Sequence, residues 1–183
     1  MTLTTAKWTV NDYHHMVEAG ILRDRRVELL QGEIVEMSPE GPTHAYLADE
    51  AGDYLEALLG DSAKVREGRP ITLPDDSEPE PDIAIVAPLG RVYRERHPYA
   101  EDVFWLIEFS NTSLTKDLDP KRLTYASAGI SEYWVVNLKT DELIIFRDSQ
   151  QGDYQSQQSL AGGTVRPAAF PDVAISVARV LGR

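Results

Sequence analysis

The stretch EPEPDIAIV, residues 78–86, sets an acid directly against a run of apolar residues. Residues 83–86 predict a buried strand, and Asp82 is the last polar residue before it. Burying a carboxylate is costly unless a cation or hydrogen bonds compensate for the lost hydration. The pattern therefore predicts a partner for Asp82, although a solvated loop acid is the simpler interpretation, as it is for Glu78 and Glu80.

A second acid lies in a similar setting in VFWLIEFS, residues 103–110. Strand alternation places four side chains on one face, namely Phe104, Leu106, Glu108 and Ser110. Glu108 is thus predicted among large apolar neighbours, where an acid is seldom simply exposed. If the two strands are adjacent and antiparallel, Asp82 and Glu108 converge on one divalent cation, with the carbonyl oxygen of Phe109 as a third ligand.

The rest of the chain predicts helices around a strand-rich centre. A short helix is expected over residues 9–20, and a hairpin that turns at Gln31-Gly32 follows it. A longer helix over residues 43–60 is expected to be capped by Thr43 and to bury one apolar face, made of Leu47, Ala51, Tyr54, Leu55 and Leu58. Further strands are predicted at residues 63–67, 69–73, 132–138, 142–147 and 154–160, before a tail over residues 164–183 with a short apolar end.

A second helix start is predicted in KDLDPKRLTYASAG, residues 116–129. Asp119 suits the N-cap, Pro120 the first helical position and Gly129 the end. Asp117 would then lie outside the helix. Lys121, in the first turn, would lean back over the strand ends, although it could also be a surface residue. The element order predicts an α/β fold of the mixed α+β kind, with a mixed sheet flanked by helices, in one domain over residues 1–183.

Composition limits the chemistry. The chain has 183 residues, 42% hydrophobic, and neither an apolar run long enough for a membrane span nor a leader, so the expected location is the cytoplasm. Cysteine is absent, which leaves oxygen and nitrogen ligands and favours Mg²⁺ or Mn²⁺. The formal net charge of −12 argues against broad electrostatic binding of nucleic acid.

An acid pair that holds a metal beside an ammonium group suits phosphodiester hydrolysis. The order Pro81-Asp82, Glu108 and Lys121 resembles the PD-(D/E)XK restriction-endonuclease-like superfamily, and within it the Uma-type restriction endonucleases. The most specific likeness is KRLTYASAGISEYWVV, residues 121–136. The resemblance implies a restriction-endonuclease-like core and a Mg²⁺-dependent (or Mn²⁺-dependent) endonuclease that acts on DNA.

The resemblance also implies roles for further residues. The superfamily lysine usually stands two positions after the strand acid, where this chain has Ser110, so Lys121 would take over its role from the helix. Glu28 would be an additional acid near the metal, although a solvated strand acid is the commoner explanation. His44 would be accessory to the site, as would Ser110 and Asp117.

Other functions fit the same residues. A catalytically inactive module of this fold that binds nucleic acid or protein agrees with the acidic charge and with Ser110 in the lysine position. Hydrolysis of a small phosphate ester also suits a chain with few basic residues. Cleavage of duplex DNA often needs two sites, so a homodimer is plausible, with residues 173–181 as one interface candidate. Tyr125 and Trp134 are expected in the core.

Overall fold

The structure is a computed structural model that describes residues 5–111 and 113–183. The helices are α1 (Val10–Glu18), α2 (Pro42–Leu59), α3 (Leu114–Lys116), α4 (Arg122–Ser127) and α5 (Val177–Val180). The strands are β1 (Val27–Leu30), β2 (Glu33–Glu36), β3 (Lys64–Glu67), β4 (Ile83–Val86), β5 (Val103–Ser110), β6 (Glu132–Asn137), β7 (Glu142–Gln150), β8 (Asp153–Leu160), β9 (Thr164–Val165) and β10 (Ile175–Ser176). None of the described helices is long and apolar enough to cross a membrane.

The core is a six-stranded mixed sheet in the order β3-β4-β5-β6-β7-β8. Strands β5 and β6 are parallel, and every other neighbouring pair is antiparallel. Helices α2 and α5 cover one face, where Leu55 and Val180 are fully buried, and α4 covers the other face with Tyr125. The predicted mixed sheet with flanking helices is confirmed.

The pairing of β4 with β5 positions the two acids. Ile83 lies opposite Ile107, so β4 and β5 are adjacent and antiparallel, which is the condition under which the two acids were expected to converge. Asp82 precedes Ile83, and Glu108 follows Ile107, so both acids lie at the carboxyl end of β5. Phe104 departs from the expected face because a bulge interrupts the register between Ile85 and Val86. Its ring instead packs against Phe170 on the α2 side, with 5.1 Å between ring centroids.

The predicted hairpin is confirmed as the antiparallel pair β1-β2. Gln31 and Gly32 both have positive φ, 49° and 73°, which is the conformation that a tight two-residue hairpin turn requires. The hairpin is tied to the loop before β4 by the Glu78 amide, which donates to the Leu29 carbonyl oxygen over 2.8 Å. Glu78 is not solvated as expected, because its carboxylate accepts hydrogen bonds from Thr72 and contacts His14.

Helix α2 begins differently from the prediction. Gly41 is the N-cap and Pro42 occupies the first turn, so Thr43 lies inside the helix and does not cap it. Its buried face also differs at the last turn, where Leu59 is buried and Leu58 remains 38% exposed. The prediction over residues 69–73 was wrong as well: Thr72 and Leu73 make only isolated bridges, because Pro70 and Pro74 on either side cannot donate to a ladder.

The helical segment after β5 begins earlier than predicted. It runs through α3, a π-helical stretch over Asp117–Lys121 and α4 without a break. Asp119 is therefore not an N-cap and Pro120 lies inside the helix. A proline has no amide hydrogen for the carbonyl four residues earlier, and a wider turn accommodates that loss. Asp117, expected outside, is a helical residue, and both it and Lys121 are buried.

Two leucines on α2 provide a matched test of this packing. Leu55→Ala is expected to lower the free energy of unfolding by about 2–5 kcal/mol, since the side chain is fully buried against the sheet. Leu58→Ala, the control on the same helix, is expected to change it by about 0.5 kcal/mol or less. Urea unfolding followed by circular dichroism measures both, and equal losses would contradict the assignment of the buried face.

Candidate functional site

A cavity of about 350 Å³ opens at the carboxyl end of β5. It is lined by the residues between β2 and α2, by the start of β4, and by the helical segment after β5. Of the residues that the sequence assigned to the site, all except Glu28 and Ser110 line this cavity directly: Asp82, Glu108, Phe109, Lys121, His44 and Asp117. Glu28 and Ser110 lie behind it and contact residues that line it.

Asp82 is held in place from two elements. One of its oxygens, Oδ2, accepts hydrogen bonds from the Phe109 amide over 2.6 Å and from His44 Nε2 over 3.0 Å. Its side chain is 18% exposed. Asp82 is therefore neither a freely solvated loop acid nor fully buried, and β5 and α2 together fix its orientation.

His44 lies in the first turn of α2, where it contacts Asp82 and makes an edge-to-face contact with the Phe109 ring. The hydrogen bond to Asp82 raises the pKa of His44, and the effect outweighs burial, which lowers it. The accessory role that the resemblance implies for His44 stays a prediction. His44 orients the Asp82 carboxylate.

Glu108 and Lys121 form a buried ion pair. Lys121 Nζ lies 2.7 Å from Oε1 of Glu108, and the same oxygen accepts a hydrogen bond from the Tyr125 hydroxyl over 2.8 Å. Burial raises the pKa of Glu108 well above its ordinary value, while the charge of Lys121 opposes that shift. Burial also acts to lower the pKa of Lys121, but the charges of Glu108 and Glu28 raise it overall. Lys121 is thus a buried, protonated cation and not the surface residue that was its alternative.

Glu28 brings the hairpin into the same network. Its side chain is completely buried, which makes the solvated strand acid the wrong interpretation. Oε2 lies 3.5 Å from Lys121 Nζ and accepts a hydrogen bond from the Glu80 amide over 3.2 Å, and Oε1 contacts Lys116 Nζ. Glu28 therefore ties the hairpin to the helical segment after β5 through two lysines of that segment, Lys116 and Lys121.

Ser110 and Asp117 form a separate buried pair behind Glu108. The Ser110 hydroxyl donates to Oδ2 of Asp117 over 2.6 Å. This bond fixes the end of β5 to the first turns of the helical segment. The position two residues after the strand acid is thus filled by a short, fully engaged side chain, and Lys121 provides the ammonium group from the helix instead.

Three site residues were missed in the sequence. Lys116 contacts Glu28, and Glu80, expected to be solvated, is half-buried and lines the cavity. Tyr125 was expected only in the core. It is buried there, but its hydroxyl reaches Glu108. Tyr125 stands four residues after Lys121, so helical spacing alone could have placed the two side chains on one face.

The arrangement has oxygen atoms available for a cation. Four acidic side chains, those of Glu28, Asp82, Glu108 and Asp117, lie around the ammonium groups of Lys116 and Lys121. Oδ1 of Asp82 and Oε2 of Glu108 accept no hydrogen bond from residues 5–111 and 113–183. Over the same residues no three His, Cys, Asp or Glu side chains are grouped to hold a metal ion, so a site here would combine these two acids with carbonyl oxygen and water.

A family model described as "Putative restriction endonuclease", Uma2, matches residues 10–178. The chain belongs to the Uma2 family. A crystal structure of "a putative nuclease belonging to DUF820" from Anabaena variabilis is similar over 85% of this chain and 89% of that chain, with a TM-score of 0.66 and 16% identity. That likeness shows the shared fold. No curated protein matches the Uma2 chain.

Removal of the Lys121 ammonium group tests the buried network. Lys121→Met is expected to lower the free energy of unfolding by about 3–5 kcal/mol, because it leaves Glu108 and Glu28 buried without their shared cation. The double variant Lys121→Met, Glu108→Gln should recover part of that loss. Urea unfolding in a metal-free buffer measures both.

Lys64→Met is the matched control, because Lys64 pairs with Glu56 at the surface, where both side chains are 53% exposed. Its cost is expected to be about 0–1 kcal/mol. If Lys121→Met were no more destabilising than Lys64→Met, the ion pair would not be buried as described.

Proposed function

We propose that this Uma2 protein is a divalent-metal-dependent nuclease that hydrolyses phosphodiester bonds of DNA. The observation that carries the proposal is the convergence of Asp82, Glu108 and Lys121 on one cavity, from a loop, a strand and a helix. Family membership supports it. Each of the two acids has one oxygen that accepts no hydrogen bond from the described residues, and a protonated cation lies beside them. Phosphoryl transfer needs such groups to stabilise the negative charge of its transition state.

Asp82, Glu108 and the carbonyl oxygen of Phe109 would hold Mg²⁺ or Mn²⁺, since hard oxygen ligands suit these ions. When bound, such an ion polarises a phosphate oxygen and acidifies a water molecule. The protein prepares this position without the ion: the Phe109 amide and His44 fix one oxygen of Asp82, and Tyr125 and Lys121 fix one oxygen of Glu108. In each acid the other oxygen is left for a ligand.

Lys121 would stabilise negative charge that develops on the phosphate during attack. Its raised pKa keeps the ammonium group protonated, so it donates hydrogen bonds and does not accept a proton. Glu28 holds Nζ from the other side, which keeps the lysine over the cavity. Lys121 would therefore supply the positive charge, and Glu28 would position it.

The second candidate is a catalytically inactive module of the same fold that binds nucleic acid or protein. One observation favours it: Lys121 is already engaged by Glu108 and Glu28, which leaves less of its charge for a substrate. This function needs no metal, and metal dependence therefore separates the two candidates.

Calorimetric titration with Mg²⁺ and with Mn²⁺ tests the metal site. The wild-type protein is expected to bind, and Asp82→Ala and Glu108→Ala are each expected to lose the binding heat, because each removes one of the two acids that face the ion. Glu101→Ala, an exposed acid outside this cavity, should bind as the wild type does. Indistinguishable titrations for all four proteins, without metal binding, would favour the binding module.

Cleavage of plasmid and single-stranded DNA tests the chemistry. Lys121→Gln is expected to reduce kcat by about 10²-fold or more, since it removes a preorganised charge from the transition state. Lys64→Gln is the control for a loss of one positive charge. Thermal denaturation shows which variants are folded at the assay temperature, and p-nitrophenyl phosphate tests the small phosphate ester as a substrate. Metal-dependent cleavage that survives Lys121→Gln in a folded protein would remove Lys121 from the mechanism.

A further inference from the structure

A second pocket, of about 260 Å³, shares a wall with the candidate active site. Met37 and Glu80 line both cavities and so form a common wall between them. On the far side of this wall the second pocket is lined by three arginines from the turn between α1 and β1, namely Arg23, Arg25 and Arg26. Three of the 18 basic residues of a chain with net charge −12 are thus gathered beside the site.

Two of these arginines have no acidic partner. Arg26 Nη2 is paired with Oε1 of Glu40 over 3.0 Å, whereas Arg23 and Arg25 form no ion pair with any residue that the structure describes. All three side chains are exposed. Asp24 stands between them in sequence and Glu80 lines the same pocket, but neither acid forms an ion pair with Arg23 or Arg25, so both guanidinium groups can bind an anion from solution.

One arginine of this turn, Arg26, acts on a residue that lines both pockets. Burial raises the pKa of Glu80, and the charge of Arg26 is the strongest effect that opposes the shift. Glu80 lines both pockets, so the charge of Arg26 acts at their common wall. The active-site cavity itself is rich in carboxylates, which repel a polyanion. A substrate with several phosphates therefore needs a cationic surface next to that cavity.

We propose that Arg23 and Arg25 form a phosphate-binding subsite that holds the backbone of a nucleic acid beside the phosphate to be cleaved. This inference rests on the proposed nuclease function and adds the surface that receives the polymer. Guanidinium groups bind phosphate in a bidentate manner and keep their charge at all relevant pH values. Contacts to backbone phosphates fix the register of a strand without reading its sequence, so the subsite is expected to be indifferent to base identity.

Fluorescence anisotropy in EDTA tests the subsite apart from catalysis. The probes are fluorescein-labelled single-stranded DNA and the corresponding duplex, each in two base sequences, titrated at several NaCl concentrations. The double variant Arg23→Gln, Arg25→Gln is compared with the wild type. Arg179→Gln, Arg183→Gln is the matched control, because it removes the same charge from residues that line neither cavity.

The arginine-turn variant is expected to bind about tenfold more weakly or worse at low salt, equally for both base sequences. The slope of log K against log[NaCl] should become less steep by about 1.4 for single strands or about 1.8 for duplex, the values for two lost phosphate contacts. The control should keep the wild-type slope.

An unchanged slope in the arginine-turn variant would overturn the subsite, and so would an equal change of slope in the control. In either case, metal-dependent cleavage by the wild type would still support the nuclease function. The reverse outcome is also distinct. Salt-dependent binding that requires Arg23 and Arg25, in a protein that cleaves nothing with Mg²⁺ or Mn²⁺, would support the subsite and overturn the nuclease function in favour of a binding module.

Discussion

The buried cation of Lys121 is the constraint on which the site depends. A lone ammonium group or a lone carboxylate in this position would carry a large desolvation cost, and removal of one member of a buried pair is strongly unfavourable. Lys121 meets Glu108 from the central strand and Glu28 from the hairpin, so three separate parts of the chain are fixed by one charge. Their geometry is thereby set before any ligand arrives, which is what preorganised electrostatic stabilisation requires.

Sheet topology supplies the rest of the geometry. Because β4 is antiparallel to β5, the start of one strand meets the end of the other, and Asp82 reaches the Phe109 amide. Because β5 and β6 are parallel, the chain must cross over between them, and this crossover is the helical segment that carries Lys121. The acid pair and the ammonium group thus converge as a consequence of strand direction.

Much of this could be predicted from the sequence because apolar strands and misplaced acids are local signals. Glu108 in an apolar strand and Asp82 before one indicated the site. The predicted start of the second helix was wrong because a π-helical stretch accommodates Pro120 inside a longer helical segment. Tertiary contacts, which local patterns do not contain, determine that conformation. Phe104 was assigned to the wrong face of the sheet because the alternation of side chains along a strand does not reveal a bulge. The burial of Glu28 depends on partners about 90 residues away in sequence, which single-sequence patterns do not reveal.

The same network restricts the chemistry of the side chains. A general base must be unprotonated near the working pH. Lys121 is held protonated by its acids, and burial raises the pKa of Tyr125 well above its ordinary value, so neither side chain accepts a proton from water. Their hydrogens point to Glu108 instead and hold one of its oxygens. Under the proposed nuclease function, these two side chains would therefore place charge around the phosphate, and activation of the nucleophile would belong to another group.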